Sequence, residues 1–513
     1  MVSAEPLVRP KPPAWRRLEE LAHGPLPTIL AHVAGGGGPR FELDGLFFEL
    51  SRLGIPEPVW QALDELARAT GVAEFRDRMA RGEVVNPSEG RAATHMALRA
   101  PDGRAGLGPM AQVADWLRSG RFDHVLHLGI GGSALGPALL IDALGRDGDG
   151  PEVRVVANVD GEAFHRACHG CRPQRTAVIV VSKTFTTVET RLNLRSALAW
   201  LAAGGVEDPM GQVVAVTAAA ERAVEAGVQS LRILEFAPSV GGRFSLWSAV
   251  GLPFAVRCGM AAFTALLDGA AAMDRHFLTT PWQRNVPMRA AAADLWFAAI
   301  LGRPTRAVFA YDERLRWLVP YLQQLEMESN GKGVASDGAR LAWPTAPVTW
   351  GGTGTDAQHA VFQLLHQGTH QDPVEFVAVA QPGHPLAPEH HRQLLANCLA
   401  QGAALAAGRG FAEALAASGG DPAVAAQRVL PGNRPSATIL IDRLAPDRLG
   451  ALLAFYEART VSLAAMLGVN PFDQWGVELG KELAAALGRG EDLTDPVTQA
   501  LQDFIRRAQA KAA

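Results

Sequence analysis

Cysteine is scarce in this chain: four in 513 residues, at scattered positions, cannot form a disulfide framework and favour a reducing compartment. Charge of one sign is equally scarce. Lys+Arg at 48 against Asp+Glu at 52 leaves a net charge of −4, which gives no electrostatic footprint for nucleic acid or anionic lipid. The N-terminal prolines and charges leave no apolar core of roughly 7–15 residues, so no signal peptide is expected. The most apolar stretch, Leu246 to Leu267, carries Arg257 near its middle and reads as a buried helix rather than a membrane span. Charge runs, short repeats and low-complexity tracts beyond Ala-rich helices are also missing. The rarest basic residue is lysine: Lys11 and Lys511 in the tails, and internally only Lys183, Lys332 and Lys481. Each internal lysine marks a place where a compact ammonium is needed and a broad guanidinium would not serve.

What is present is apolar material, 48% against 19% charged, enough for large cores and for two or three domains. The expectation is a soluble cytoplasmic enzyme. Residues 1–105 read as a mostly helical N-terminal extension. An α/β pattern follows, with strand-like runs at His124–Leu128, Val153–Ala157, Ala177–Val181, Gln212–Val216 and Ile233–Phe236. After a helical Met288–Leu301 come Ala307–Ala310, Val374–Val379 and Thr438–Ile441. Alternating strands and helices predict parallel sheets covered on both faces, here as two α/β domains over 106–280 and 281–513, the second ending in helices.

Two motifs follow strands of the first domain. Gly129-Ile-Gly-Gly-Ser133-Ala134 fits a dinucleotide fingerprint, but the acidic residue expected about 20 residues on is absent. The other reading is a glycine turn whose Gly132 and Ser133 N–H groups approach a sugar or phosphate. Ser182-Lys-Thr-Phe-Thr-Thr187 surrounds Lys183 with hydroxyls of Ser182, Thr184, Thr186 and Thr187 where a helix should begin. That arrangement suits a phosphate monoester, although the same residues also supply N-capping chemistry. No P-loop occurs; Gly476–Lys481 comes nearest and is one residue short.

Three motifs carry acid–base groups. In Gln324-Leu-Glu-Met-Glu328-Ser-Asn-Gly-Lys332, helical spacing puts Gln324 and Glu328 on one face and Glu326 on the other. Asn330-Gly331 reads as the helix stop, which leaves Glu328 near the negative end of the dipole, where a base is favoured. In Trp350-Gly-Gly-Thr-Gly-Thr-Asp356-Ala-Gln-His359, a helix capped by Thr355 or Asp356 would hold His359 in its first turn. His366, further along, reads as packed or hydrogen-bonded. Gln474, Glu478 and Lys481 are spaced as one helical stripe, open either to chemistry or to a surface ion pair. Arg243, in Gly241-Gly-Arg-Phe-Ser245, is a candidate anion stabiliser or a structural ion pair. Cys168 and Cys171 read as incidental cysteines, since no second pair completes a metal site.

Six segments together resemble the glucose-6-phosphate isomerase (phosphoglucose isomerase) family: Leu128-Gly-Ile-Gly-Gly-Ser133, Ser182-Lys-Thr-Phe-Thr-Thr187, Val240-Gly-Gly-Arg-Phe-Ser245, Met327-Glu-Ser-Asn-Gly-Lys332, Gln358-His359 with His366-Gln-Gly-Thr369, and Phe472-Asp-Gln-Trp-Gly-Val-Glu-Leu-Gly-Lys481. Asn86-Pro-Ser-Glu-Gly-Arg-Ala92 with His95 is similar to its N-terminal signature. The resemblance implies two sugar-isomerase, flavodoxin-like α/β domains with helical N- and C-terminal extensions. It implies a homodimer with active sites shared between subunits. It also implies interconversion of glucose 6-phosphate and fructose 6-phosphate through a cis-enediol in glycolysis and gluconeogenesis, without metal or nucleotide. Glu328 would be the base and Arg243 the cation beside the intermediate. His359, from the other subunit, and Lys481 would open the ring. Ser182, Lys183, Thr184 and Thr187 would hold the phosphate, with Gly132, Ser133, Gln324 and Gln474 around the sugar. Lys332 receives no chemical role.

Departures from the family pattern are Ala134, Gly352-Thr353, Asp356-Ala357 and Pro87-Ser88. They touch loop geometry and leave preference for mannose 6-phosphate open. A sugar-phosphate sensor on the same fold is the other class to weigh. Retention of Glu328, His359 and Lys481 argues for the enzyme.

Overall fold

The computed structural model describes residues 8–491, 493 and 495–511; the first seven residues of the segment tested above for a leader lie outside them. The strands, in chain order, are β1 (Arg40–Leu43), β2 (Leu46–Glu49), β3 (Val84–Asn86), β4 (Arg91–Ala92), β5 (His124–Leu128), β6 (Glu152–Val156), β7 (Thr176–Val181), β8 (Val213–Thr217), β9 (Ile233–Glu235), β10 (Thr305–Tyr311), β11 (Val348–Thr353), β12 (Val374–Val379) and β13 (Ser436–Ile441).

The first sheet runs β6-β5-β7-β8-β9, all parallel. Its central β7 is buried at every residue, as expected of a strand covered on both faces. The second sheet places β11-β10-β12-β13 in parallel order and adds the hairpin β1–β2 antiparallel to β13. Each parallel core has the flavodoxin-like order, in which chain direction across the sheet reverses once, between β5 and β7 and again between β10 and β12. Ligands of open α/β sheets bind at the carboxyl ends of the strands beside such a reversal. The boundary read at residue 280 falls between β9 and β10.

Three expectations need correction. The N-terminal hundred residues are not helical throughout: Asp44-Gly45 turns a hairpin whose outer strand pair extends the second sheet. Gly352-Thr353, taken above as part of a loop before the His359 helix, belongs to the edge strand β11 (Val348–Thr353). The apolar stretch Leu246 to Leu267 is not one helix. It is interrupted at Ser248 and Gly259 into short turns, the helix Leu252–Cys258 and the start of Met260–Thr279.

The helix that does occupy the centre is Pro446–Leu467. It is long and apolar enough to cross a membrane by composition, yet its apolar window is wholly buried in the fold. It crosses Met260–Thr279 backbone to backbone. A Cβ on Gly269 would lie 1.7 Å from the Asp447 carbonyl oxygen, and one on Gly450 would lie 2.0 Å from that of Leu266. Its polar residues are answered inside. Arg459 makes two 2.6 Å bonds to Asp294 and one of 2.5 Å to Glu375, while the Tyr456 hydroxyl donates to Glu375 at 2.6 Å.

By contacts the chain divides into two compact units, one ending at Pro471 and the other beginning at Phe472. The second comprises a turn at Trp475–Val477 and the helices Glu478–Gly488 and Pro496–Ala510, the latter capped by Asp495.

The close crossing sets a stability test. Gly450→Ala should cost about 2–3 kcal/mol by overpacking and lower the thermal unfolding midpoint. Gly108→Ala, in the helix Leu107–Leu117 with nothing within 4 Å of the added methyl, should leave it unchanged or slightly raised.

Candidate functional site

Three loops meet at the carboxyl edge of the first sheet. After β5, Gly131–Ser133 form a tight turn, and a Cβ on Gly132 would fall 2.1–2.5 Å from the backbone of Gly242 and Arg243. Only glycine permits that contact, so the glycine turn and the Arg243 turn lie against each other. Gly131, at φ +57°, would place a Cβ 3.0 Å from the Gln324 amide nitrogen. Gln324 therefore joins the same corner from the other half of the chain. Of the two N–H groups expected to face a ligand, that of Ser133 is used within the turn, donating to Ile130 at 3.2 Å. His127 holds the turn from beneath, its Nε2 donating to the Ser133 carbonyl at 2.7 Å.

After β7, Ser182 and Thr187 pair through their hydroxyls at 3.0 Å, and Thr184 pairs with Thr186 at 2.8 Å. Thr187 occupies the N-cap of the helix Val188–Ala203 without a side-chain cap bond, so these hydroxyls do not serve as caps. Between them Phe185 takes φ +56°, a left-handed conformation costly for a side chain of its size. Lys183 uses its ammonium on the carbonyls of Pro238 at 2.7 Å and Val240 at 3.1 Å. Burial first, then the nearby Arg91 and Arg243, push its pKa down, with Glu89 opposing. Like charge is thus gathered in one corner, which an anion would relieve.

The carboxylate comes from a π-helical segment. Gln323–Glu328 continues the helix Leu318–Leu322 with wider turns, and the helix closes at Asn330, the predicted stop. Such segments are frequent at functional sites. Glu326 points into the second sheet. Both of its oxygens bond the Arg306 guanidinium of β10, and the Thr349 hydroxyl of β11 donates to one of them. Glu328, on the opposite side, has its Oε2 3.6 Å from Arg243 Nη1. That oxygen is buried and has no hydrogen-bond partner among the described residues. Arg243 is itself buried, donating from Nε to Ser329 Oγ at 2.7 Å and from Nη2 to the Pro471 carbonyl.

Other candidates stand differently. His359 lies in the second turn of the helix Gly354–Gln367, not the first, because that helix begins two residues earlier than Asp356 and Thr353 caps it without a side-chain bond. It is exposed, and among the described residues no hydrogen bond, ion pair or ring contact joins it to Glu328, Arg243 or Lys183. His366 is hydrogen-bonded to Gln401 at 2.8 Å, as expected of a packed residue. Gln474 and Lys481 belong to the second unit. The helix there begins only at Glu478, so Gln474 does not share the expected stripe, and Lys481 pairs with Glu478 at 2.8 Å on the surface. Burial raises the thiols of Cys168, to about 12, and Cys171, and Cys171 donates to the Ala167 carbonyl. A cavity of about 990 Å³ opens away from Glu328, at the carboxyl ends of β10 and β12 between Arg314, His384 and Thr355.

Sequence reasoning gave no role to four participants. Glu89 and Arg91 sit electrostatically beside Lys183, although the Asn86–Ala92 signature had been noticed. His127 was lost in an apolar strand. Lys332 donates to the carbonyls of Glu328 at 3.2 Å, Ser329 at 2.6 Å and Asn470 at 2.6 Å. The scarcity of lysine was the signal for it.

A family model described as phosphoglucose isomerase matches residues 49–500. A glucose-6-phosphate isomerase of Rhizorhabdus wittichii is 54% identical over 468 residues, 89% of this chain and 91% of that protein. One of Zymomonas mobilis is 45% identical over 501 residues, 95% of this chain and 96% of that protein. The crystal structure of a glucose-6-phosphate isomerase from Chlamydia trachomatis, 29% identical, superposes with a TM-score of 0.85 over 97% of this chain and 99% of that one.

Burial lowers the His127 pKa from 6.5 to about 4, only partly offset by its bond to Ser133. Between those values the unfolded chain binds a proton that the native state refuses. Stability is therefore complete above about pH 6.5 and falls towards pH 4, by up to about 3 kcal/mol. His127→Gln keeps a donor for Ser133 and removes the titration. Its urea midpoint should fall less than that of the wild type between about pH 7 and about pH 4.5; an equally steep fall would clear His127 as the source.

Proposed function

The chain belongs to the phosphoglucose isomerase family, and from that premise we propose how its own residues perform the reaction. The activity is interconversion of D-glucose 6-phosphate and D-fructose 6-phosphate, an aldose–ketose isomerisation of glycolysis and gluconeogenesis. Glu328 takes the C2 proton of the open-chain aldose; the electron pair moves into a C1–C2 double bond as O1 gains a proton, giving a cis-enediol. Return of the proton to C1, with loss of the proton on O2, yields the ketose. The observation that carries this reading is the unpartnered, buried Glu328 Oε2 beside Arg243. A carboxylate oxygen not engaged in a hydrogen bond is open to a substrate proton, and a fixed guanidinium stabilises the enediolate charge that grows next to it.

Ser182, Lys183, Thr184 and Thr187 take the phosphate, supported by the crowding of cations at Lys183. Gly132, Ser133 and Gln324 border the sugar, supported by the packing of the glycine turn on Arg243 and Gln324. We assign Gln474 to the sugar and Lys481 to ring opening at O1 by motif alone. His359 acts at O5 and comes from a second copy of the chain; its exposure and lack of contact with Glu328 support that assignment. The working unit is then a homodimer of two-domain subunits, with domains over 106–280 and 281–513.

In a coupled assay with EDTA present, the wild type should form glucose 6-phosphate from fructose 6-phosphate, and Glu328→Gln should lose about 10³-fold or more in kcat. A Glu328→Gln enzyme of undiminished activity would remove Glu328 as the base. Sharing of the site has its own test. Inactive Glu328→Gln and inactive His359→Ala chains, unfolded and refolded together, should regain activity, since a hybrid dimer assembles one intact site. Continued inactivity of the mixture would place both groups in one subunit.

A further inference from the structure

Asn470 and Pro471 form a junction of three separate parts of the fold. The Asn470 carbonyl accepts from the Lys332 ammonium, and the Pro471 carbonyl accepts from Arg243. The Asn470 amide donates to Asn86 at 2.8 Å and Ser88 at 3.0 Å, and Asn86 in turn donates to Glu89 at 2.7 Å. Glu89 belongs to the charge cluster around Lys183. Lys332 is the piece that closes the junction on the carboxylate side, because the same ammonium holds the carbonyls of Glu328 and Ser329. Ser329 also receives Arg243.

We propose that Lys332 is a positioning residue for proton transfer: its ammonium ties the last carbonyls of the Glu328 segment to Asn470 and so fixes the carboxylate beside Arg243. Three N–H groups on one nitrogen face three carbonyl oxygens from two segments. A guanidinium spreads its donors in a plane over several ångströms and cannot converge on them, which accounts for lysine here in a chain that otherwise uses arginine. The carbonyls at a helix end have no intrahelical partner, so without the ammonium the last turn would lose one of its tethers and hold Glu328 less tightly in its orientation. A shift of about 1 Å in a reacting group is enough to cost on the order of 10²-fold in rate.

This inference rests on Glu328 being the base, and the experiment keeps the two apart. Lys332→Met and Lys332→Arg are compared with the wild type and Glu328→Gln for kcat, for KM with fructose 6-phosphate, and for the product of glucose 6-phosphate turned over in D₂O. The fraction of solvent deuterium at C1 of the ketose, read at early conversion, does not depend on how much enzyme is folded. Both lysine variants should lose about 10–100-fold in kcat with KM within about twofold, and should show a larger deuterium fraction, since a loosely held base exchanges its proton before returning it. An unchanged deuterium fraction, or loss of all folded protein in both variants, would assign Lys332 to stability and overturn the proposal while leaving Glu328 in place. An active Glu328→Gln would instead remove the base on which the proposal depends.

Discussion

A carboxylate buried against the second sheet must be answered by a cation, and here Glu326 is answered by Arg306. Both are buried, and Arg306 shares its surroundings with Asp294, Glu375 and Arg459. Burial alone would disfavour the charge on Arg306, but Glu326, Asp294 and Glu375 more than reverse this and hold its pKa up. Burial likewise opposes the charge on Glu375, yet Arg459 and Arg306 bring its pKa down to about 2. Breaking such a cluster by removing one member leaves an uncompensated buried charge. The cluster therefore sets one rotation of the π-helical segment, and Glu328, two residues from Glu326, is delivered to the opposite side.

From that rotation the rest of the corner follows. Gln324 and Glu328 face the carboxyl edge of the first sheet because Glu326 is committed to the second. The first sheet brings its own loops to the same edge because its strand order reverses between β5 and β7. Cations gather there at a cost: burial and the neighbouring Arg91 and Arg243 disfavour the charge on Lys183, whose ammonium is held on the carbonyls of Pro238 and Val240. On the proposed assignment, a dianionic phosphate would relieve that repulsion, so that binding the end of the substrate that does not react would contribute to catalysis.

Much of this was legible before any coordinates. The runs His124–Leu128 and Val374–Val379 are strands with the predicted bounds, because a short apolar run between turn residues has few other uses. The opposite facing of Glu326 and Glu328 also followed from spacing, and survives the change from α to π geometry. Less legible were β1 and β2, four residues each, whose Asp44-Gly45 turn was the overlooked signal. The Gln474, Glu478 and Lys481 stripe failed because spacing assumes a continuous helix, and the helix starts only at Glu478.

The sequence by itself determined the chemistry available: which residues are glycine, where the rare lysines stand, and that hydroxyls, a carboxylate and a guanidinium follow strands of two α/β domains. Those are local properties, set by residue type and by distances of a few positions along the chain. Only the tertiary structure decided that the Glu328 oxygen faces Arg243 with no hydrogen bond among the described residues, that Gly132 bears on Arg243, and that Lys332 joins the Glu328 turn to Asn470. Each of these depends on contacts between segments more than eighty residues apart. No periodicity encodes them; they arise when two sheets and a buried helix pack at one fixed distance.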